Sequence, residues 1–262
     1  MTILEQLAEE AAKRVRRDRE KISFGEMKAM AEALPAPEKN PFLQAVSKPG
    51  MSFICEVKKA SPSKGVIDPV FDYLEIARDY EKAGVDAVSC LTEPKWFLGS
   101  DDIFREIRKA IALPMIRKDF VVDEYQLYQA KVLGADCVLL ICSLLDTETM
   151  AGYLEICETL GLAALAEAHD SVETESVIRA GARMIGVNNR NLRDFTVDFD
   201  NAARLRELIP PDRVYVAESG VKGPADVAAL RKIGADAVLM GEVLMRAENR
   251  GEMIRAMREA AV

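Results

Sequence analysis

The chain has 262 residues and is poor in several residue types on which common functional sites depend. It has one histidine, His169, so a zinc site with several histidine ligands is excluded and a Ser-His-Asp triad has a single candidate. Its five cysteines form no Cys-x-x-Cys pair. This pattern favours buried free thiols in a reducing cytosol over disulfides.

Excess positive charge and long apolar runs are also lacking. The chain has 35 Lys and Arg against 43 Asp and Glu, a net charge of −8, so it is an unlikely binder of nucleic acid. An anionic substrate would have to be bound by a local site. No run reaches about 18 apolar residues, which predicts no membrane span. The N-terminus lacks a signal-peptide core, and Glu5, Glu9 and Glu10 argue against a transit peptide, so we expect a cytoplasmic protein.

From residue 52 onward, short apolar segments alternate with amphipathic ones. The apolar segments do not alternate with polar residues, which is typical of strands that are buried on both faces of a parallel sheet. Eight strands are predicted, at 53–58, 86–91, 115–118, 137–142, 163–167, 184–188, 214–218 and 237–240. Helices are predicted at 70–82, 101–110, 123–132, 147–160, 171–180, 200–207, 224–232 and 251–260.

A short sequence motif recurs once in every second strand–helix unit, around Gly84, Gly134, Gly181 and Gly234. Each glycine is expected to end a helix in the left-handed conformation. Four copies of the motif over eight strand–helix units predict an α/β fold, the (βα)8 TIM barrel. The alternative, a doubly wound sheet, would normally show a crossover point and a glycine-rich first turn.

The first 48 residues lie outside this repeat. Apolar residues recur there at helical spacing from Ile3 to Val15, which predicts an amphipathic helix packed on the main body. We therefore predict an N-terminal helical extension at 1–48, covering part of the barrel mouth, and a catalytic barrel at 49–262.

Polar residues gather at the carboxyl ends of the predicted strands, where barrel enzymes place their catalytic groups. Glu56 and Lys58 share one face of the first strand, and residues 61–65 then form a loop. A surface salt bridge is the alternative interpretation of this pair. The other strands end in Leu91-Thr92-Glu93, Arg117-Lys118-Asp119-Phe120, Glu167-Ala168-His169, Asn188-Asn189-Arg190-Asn191, Glu218-Ser219-Gly220 and Gly241-Glu242.

The last two of these endings predict a phosphate site. Ser219-Gly220 and Gly241-Glu242 follow strands seven and eight, where backbone N–H groups commonly bind phosphate. The alternative is that both glycines are merely turn residues. His169 is expected to face away from Glu167 and to stay outside the site.

Five segments carry a resemblance to a known family. They are Phe53–Gly65, Leu91–Glu93 with Trp96–Ser100, Ile116–Phe120, Gly186–Leu192 and Ala217–Gly220. In order and spacing they resemble the indole-3-glycerol-phosphate synthase family of tryptophan biosynthesis, over nearly the whole chain.

The resemblance implies a reaction and a substrate. The substrate would be 1-(2-carboxyphenylamino)-1-deoxyribulose 5-phosphate, a phosphorylated small molecule. Ring closure, decarboxylation and dehydration would give indole-3-glycerol phosphate, carbon dioxide and water, with no metal or organic cofactor. A monomer is expected, and association with other enzymes of the pathway stays open.

The resemblance also implies roles for individual residues. Lys118 would protonate the ketone oxygen, and Glu167 would act as acid or base in the dehydration. The other expected residues are Glu56, Lys58 and Asn188 in the catalytic set, Ser61 and Arg190 at the anionic ends of the substrate, Phe97, Phe120 and Leu192 around its aromatic ring, and Ser219, Gly220, Gly241 and Glu242 at its phosphate. Some relatives carry serine in place of Glu242, whose side chain is expected to point away from a phosphate on its backbone.

Two other functions compete with this one. A Schiff-base aldolase could use Lys118 as its nucleophile, because a lysine at a strand end fits that role as well. A non-catalytic phosphate sensor is the second alternative, although a sensor needs anion-binding groups and not paired acids and bases.

Overall fold

The computed structural model describes residues 1–191 and 195–262 and contains a closed barrel of parallel strands. The strands follow one another around the barrel in chain order, and the first pairs with both the second and the last. The predicted TIM barrel is therefore confirmed. The eight barrel strands, named first to eighth below, are Ser52–Val57, Ala87–Leu91, Met115–Lys118, Cys137–Ile141, Ala163–Ala168, Met184–Asn188, Val214–Glu218 and Ala237–Met240.

The recurring sequence motif has a structural role in each repeat. All four of its glycines have positive φ, between 72° and 92°, as their left-handed position requires. Three of the repeats carry an aspartate just after the glycine, at Asp86, Asp136 and Asp236. Each of these carboxylates accepts a backbone N–H from a neighbouring strand, at 2.8–2.9 Å. In these three repeats the aspartate thus holds the start of its strand against the neighbouring strand.

Helices surround the barrel where the amphipathic segments predict them. Each has its apolar face against the strands, and most begin at an aspartate, asparagine or serine that accepts a backbone N–H of the first turn. They are Tyr73–Lys82, Asp101–Ala110, Tyr125–Leu133, Thr147–Leu160, Ser171–Arg179, Asn201–Arg206, Pro224–Lys232 and Arg250–Ala260, with short helices at Cys142–Leu144 and Glu242–Met245. A two-stranded hairpin, Ala60–Ser61 with Gly65–Val66, follows the first barrel strand.

The N-terminal extension reaches both ends of the barrel. Its three helices are Ile3–Lys21, Phe24–Glu32 and Pro41–Val46. The first helix brings Ile3 and Leu7 to the mouth. The third buries Phe42 and Val46 completely. Asn40, just before it, donates to the carbonyls of Asp136 and Gly161, which precede the fourth and fifth strands.

The extension therefore lies against the floor of the barrel as well as its mouth. The boundary between residues 48 and 49 stays a prediction. Within the described ranges, we find no helix of sufficient length and apolar character to traverse a lipid bilayer.

Candidate active site

Glu56 and Lys58 form a buried pair at the end of the first strand. Lys58 Nζ lies 2.7 Å from Glu56 Oε1, and Ser89 Oγ donates to Glu56 Oε2 at 3.2 Å. Burial by itself would raise the pKa of Glu56, but the charges of Lys58 and Lys118 outweigh it and leave that pKa lowered. Glu56 is only 5% exposed, so the surface salt-bridge interpretation is wrong.

Lys118 lies between carboxylates from across the barrel. Its Nζ is 3.3 Å from Glu167 Oε2 on the fifth strand and 3.1 Å from Glu218 Oε2 on the seventh. Burial would lower the pKa of Lys118, but the charges of Glu218, Glu167 and Glu56 outweigh burial and raise it. The ammonium is therefore held in its charged form at the floor of the pocket.

Glu218 is a member of this cluster that the sequence did not single out as a catalytic residue. Burial raises its pKa to about 7; Lys118 opposes that rise and Glu167 adds to it. One carboxylate oxygen, Oε1, has no hydrogen-bond partner among the described residues. A Cβ at Gly186 would meet that oxygen at 2.1 Å, so glycine is required beside it. The sequence feature that could have identified Glu218 as a site residue is its position at the carboxyl end of the seventh strand.

Glu167 has partners on both of its oxygens. Oε2 faces Lys118, and the side chain is also hydrogen-bonded by Asn188. Oε1 lies 3.4 Å from His169 Nε2. The expectation that His169 faces away is wrong, because residues two apart along a strand point to the same face. Burial would raise the pKa of Glu167, but Lys118 and His169 outweigh it and lower it.

An apolar wall borders the charged cluster. The rings of Phe97 and Phe120 lie 6.0 Å apart in a tilted arrangement. Buried Glu93 fixes the loop that carries Phe97, since its carboxylate accepts the backbone N–H groups of Lys95, Trp96 and Phe97 at 2.8–3.0 Å. Further apolar residues of this wall, which the sequence did not identify, are Ile3, Leu7, Leu139, Ile141 and Leu239.

An ion pair joins the first helix to the end of the third strand. Arg14 Nη1 and Nη2 lie 2.8 and 2.6 Å from the two carboxylate oxygens of Asp119, the residue between Lys118 and Phe120. Asp119 is 1% exposed and also accepts from Thr92 Oγ1 at 2.7 Å. The extension thus positions the end of the strand that carries Lys118.

Turns after the seventh and eighth strands line the other side of the pocket. Ser219 and Gly220 have φ of 65° and 88°, and both border the cavity with Gly241. A Cβ at Gly241 would lie 2.9 Å from Glu56 Oε1 and 3.3 Å from Lys58 Nζ. Glycine there lets the backbone approach the Glu56–Lys58 pair closely.

Cationic side chains lie at the rim of the same side. Arg190 reaches Ser63 Oγ at 3.4 Å, and Ser61 lies on the pocket wall in the same hairpin loop. Glu242 Oε2 is 3.8 Å from Arg190 Nη2, and its Oε1 is 3.8 Å from Lys64 Nζ. Glu242 thus borders the pocket, and its side chain lies between basic groups on two neighbouring loops. That this side chain points away from a phosphate on its backbone stays a prediction. Leu192 lies outside the described residues.

All the described candidate residues border one cavity of about 570 Å³ at the carboxyl ends of the strands. The cavity combines a charged acid–base cluster, an apolar wall and a basic rim with glycine turns. A volume in this range suits a small-molecule ligand. Fold and site together define a TIM-barrel enzyme whose pocket suits a substrate with an aromatic and an anionic part.

Comparison with known proteins gives the family. The family model for indole-3-glycerol phosphate synthase matches residues 4–257. An indole-3-glycerol phosphate synthase of Ruminiclostridium cellulolyticum is 49% identical over 99% of this chain and 100% of its own length. One of Endomicrobium trichonymphae is 47% identical over 95% of this chain and 97% of its own. The chain belongs to the indole-3-glycerol phosphate synthase family, whose members are carboxy-lyases.

Solved structures share the fold at low identity. A 3-hexulose-6-phosphate synthase covers 81% of this chain and 100% of its own, at 18% identity and a TM-score of 0.67. A 3-keto-L-gulonate-6-phosphate decarboxylase from Vibrio cholerae covers 81% of this chain and 97% of its own, at 14% identity and a TM-score of 0.63. At these identities the likeness extends to the barrel alone.

Proposed function

We propose that Lys118, Glu167, Glu56, Lys58 and Asn188 carry out the indole-3-glycerol phosphate synthase reaction in this chain. The activity follows from family membership: 1-(2-carboxyphenylamino)-1-deoxyribulose 5-phosphate is converted to indole-3-glycerol phosphate, carbon dioxide and water. The observation that carries the assignment of roles is the Lys118 ammonium, buried between Glu167 and Glu218 beside an aromatic wall.

Ring closure requires a proton donor at the ketone. As the aromatic carbon attacks the carbonyl carbon, the carbonyl oxygen gains negative charge and takes a proton from Lys118 Nζ. The surrounding carboxylates keep Lys118 protonated until that moment. Loss of the carboxyl group as carbon dioxide then returns its electron pair to the ring and restores aromaticity.

Dehydration requires both an acid and a base. The hydroxyl formed from the ketone takes a second proton, which Glu167 supplies after receiving it from outside the pocket, and leaves as water. A proton is lost from the neighbouring ring carbon, and Glu167 accepts it. Its lowered pKa leaves Glu167 ionised and able to act as the base. The hydrogen bond from Asn188 orients the carboxylate.

The two ends of the substrate fit the two sides of the cavity. Phe97 and Phe120 lie where they can contact the aromatic ring, and Lys58 and Arg190 offer positive charge to its anions. The phosphate would bind to backbone N–H groups around Ser219, Gly220, Gly241 and Glu242, with Ser61 beside it. Leu192 is retained as a prediction from the resemblance alone.

The charge of Lys118 separates this function from a Schiff-base aldolase. A lysine that attacks a carbonyl must be neutral, which requires a lowered pKa. Here the pKa is raised by three carboxylates, so proton donation is favoured and nucleophilic attack is not. A phosphate sensor would have no use for this acid–base cluster.

One experiment tests both the activity and the assignment. Purified wild-type protein and a Lys118→Met variant are incubated with the carboxyphenylamino substrate, and indole fluorescence is followed. The wild type should form product, and the variant should retain less than about 1% of that rate. Borohydride added with a ketose phosphate should trap no adduct on Lys118. Absence of product in the wild type, or a trapped adduct, contradicts the proposal.

A further inference from the structure

His169, the only histidine, joins the active-site carboxylate Glu167 to a second carboxylate outside the barrel mouth. Its Nε2 lies 3.4 Å from Glu167 Oε1, and its Nδ1 lies 3.0 Å from Glu173 Oε2 on the helix that follows. The backbone N–H of His169 also donates to Glu173 Oε2 at 2.8 Å. Both ring nitrogens therefore face a carboxylate oxygen.

A second cavity, of about 760 Å³, lies on the Glu173 side of this imidazole. It is bordered by polar side chains that include Glu5, Ser143, His169, Glu173, Asn188 and Asn201. Glu173 also accepts a hydrogen bond from Ser143 Oγ, and its side chain is 20% exposed. Solvent can thus reach Glu173, whereas Glu167 is only 2% exposed.

The imidazole is surrounded by negative charge. Glu167 faces it from the fifth strand, Glu173 from the helix Ser171–Arg179, and Glu218 from the seventh strand. Burial would lower the pKa of His169, but the hydrogen bond to Glu173 and these charges outweigh it and raise it. Its Nε2 has no hydrogen-bond partner in the part of the chain that the structure describes. At 3.4 Å from Glu167 Oε1 it forms no hydrogen bond in this structure, so a small movement of the imidazole must bring the two atoms into hydrogen-bond geometry before a proton passes.

The reaction needs such an exchange because it consumes a proton. The substrate carboxylate leaves as neutral carbon dioxide. The departing water carries two added protons, while only one proton is returned from the ring carbon. Each turnover therefore takes up one proton from outside the pocket. The proton from the ring carbon can return to Lys118 by way of Glu167, so the proton from outside is the one that the departing hydroxyl requires.

We propose that His169 conducts this proton from the second cavity to Glu167, which gives it to the departing hydroxyl. Neutral His169 with its proton on Nε2 takes a proton at Nδ1 by way of Glu173 and solvent, and the imidazolium so formed gives its Nε2 proton to Glu167 Oε1. Exchange of the remaining proton from Nδ1 to Nε2 through solvent restores the starting tautomer. Glu167 then accepts the proton from the ring carbon and gives it from its Oε2 side to Lys118 Nζ, 3.3 Å away. No other reactant is needed. This inference rests on the proposed roles of Lys118 and Glu167.

A pre-steady-state experiment tests the link. Wild type and the variants His169→Ala, His169→Gln and Glu173→Gln are mixed with substrate labelled in its carboxyl carbon, and carbon dioxide and indole are measured over time. Glu175→Gln is the matched control, because Glu175 lies on the same helix and its side chain is 63% exposed.

The variants should differ from the wild type in steady-state turnover but not in carbon dioxide release during the first turnover. Lys118 begins protonated, so each variant should release one equivalent of carbon dioxide within about twofold of the wild-type rate. Steady-state turnover should then fall at least about tenfold for the His169 variants and less for Glu173→Gln. The control should match the wild type. Added imidazole should restore turnover of His169→Ala, and a purely structural role would give no such rescue.

Three results overturn the link: steady-state turnover of both His169 variants within twofold of wild type, equal losses in the first and later turnovers, or no effect of imidazole on His169→Ala. A wild type that forms no indole would instead defeat the proposed function itself. The two failures are therefore distinguishable.

Discussion

Replacing Arg14 by methionine should cost the protein a large part of its stability, although Arg14 lies in the extension. Arg14 contacts both oxygens of Asp119, at 2.8 and 2.6 Å, and its side chain is 15% exposed. Methionine preserves much of the apolar stem but leaves the Asp119 carboxylate buried without this partner. The remaining partners are Thr92 Oγ1 at 2.7 Å, the backbone N–H of Phe120 at 2.8 Å and Arg117 at 3.6 Å.

The pKa of Asp119 sets the scale of the loss. Burial would raise it, but Arg14 first and Arg117 next outweigh burial and lower it to about 2. Against an unfolded value of about 3.9, this corresponds to roughly 2.6 kcal/mol of stabilisation at neutral pH. Breaking a buried pair typically costs about 3–5 kcal/mol. We therefore expect Arg14→Met to lower the free energy of unfolding by about 3 kcal/mol.

The pH dependence has a definite sign. Because the folded pKa is the lower one, the stabilisation is fully present above about pH 4 and is lost as pH falls towards 2. The difference between wild type and variant should accordingly be largest near neutral pH and shrink as the solution is acidified.

Equilibrium urea unfolding at pH 7 and at lower pH measures both effects. Arg183→Met is the control, because Arg183 Nη2 pairs with Glu158 at 2.8 Å but both side chains are about two-thirds exposed. Its cost should stay below about 1 kcal/mol. A double-mutant cycle with Asp119→Asn should give a coupling of at least about 2 kcal/mol. An Arg14→Met loss no larger than that of the control would refute the reasoning.

Other perturbations have equally specific outcomes. Lys118→Ala should lower kcat about 10²–10⁴-fold with little change in KM; an indole fluorescence assay that retains more than roughly a tenth of the rate contradicts this. Ionisation of Glu218 adds negative charge beside an anionic substrate, so kcat/KM should fall as pH rises through about 7, and a pH profile of Glu218→Gln should lack that step. Gly241→Ala places a Cβ 2.9 Å from Glu56 Oε1 and should raise KM at least about tenfold, whereas Gly152→Ala, with open space around it, should leave KM unchanged. Deleting residues 1–22 removes Arg14 as well as Ile3 and Leu7 at the mouth, so it should raise KM and lower the free energy of unfolding at least as much as Arg14→Met, while circular dichroism still shows a folded protein. Deletion through residue 48 should unfold the chain by uncovering the barrel floor; equal circular dichroism of the two deletions would contradict this.

Strand positions could be read from the sequence because each barrel strand is buried on both faces. The segment Cys137–Ile141, for example, is apolar throughout and fully buried. The recurring glycines were equally informative, since only a left-handed position after a helix explains their spacing. The floor of the barrel could not be predicted, because the helix Pro41–Val46 has six residues and is too short to show a period.

Within the site, the residues of single strands were predictable and their partners across the barrel were not. Glu56 and Lys58 pair along one strand, which alternation alone predicts. Glu218 meets Lys118 only because the barrel closes and brings the third and seventh strands face to face. The contact between Glu242 and Arg190 depends on the course of two loops, which no local pattern specifies.

Lys118 acts in ring closure and Glu167 in the later dehydration, and a single-turnover experiment tests this assignment most directly. Substrate labelled in its carboxyl carbon is mixed with excess enzyme, and carbon dioxide release and indole formation are followed in the same reaction. Lys118→Ala should lose both signals, because ring closure precedes decarboxylation. Glu167→Gln should release carbon dioxide at close to the wild-type rate and form indole only slowly. Carbon dioxide release at the wild-type rate by Lys118→Ala, or its loss in parallel with indole in Glu167→Gln, would contradict the assignment.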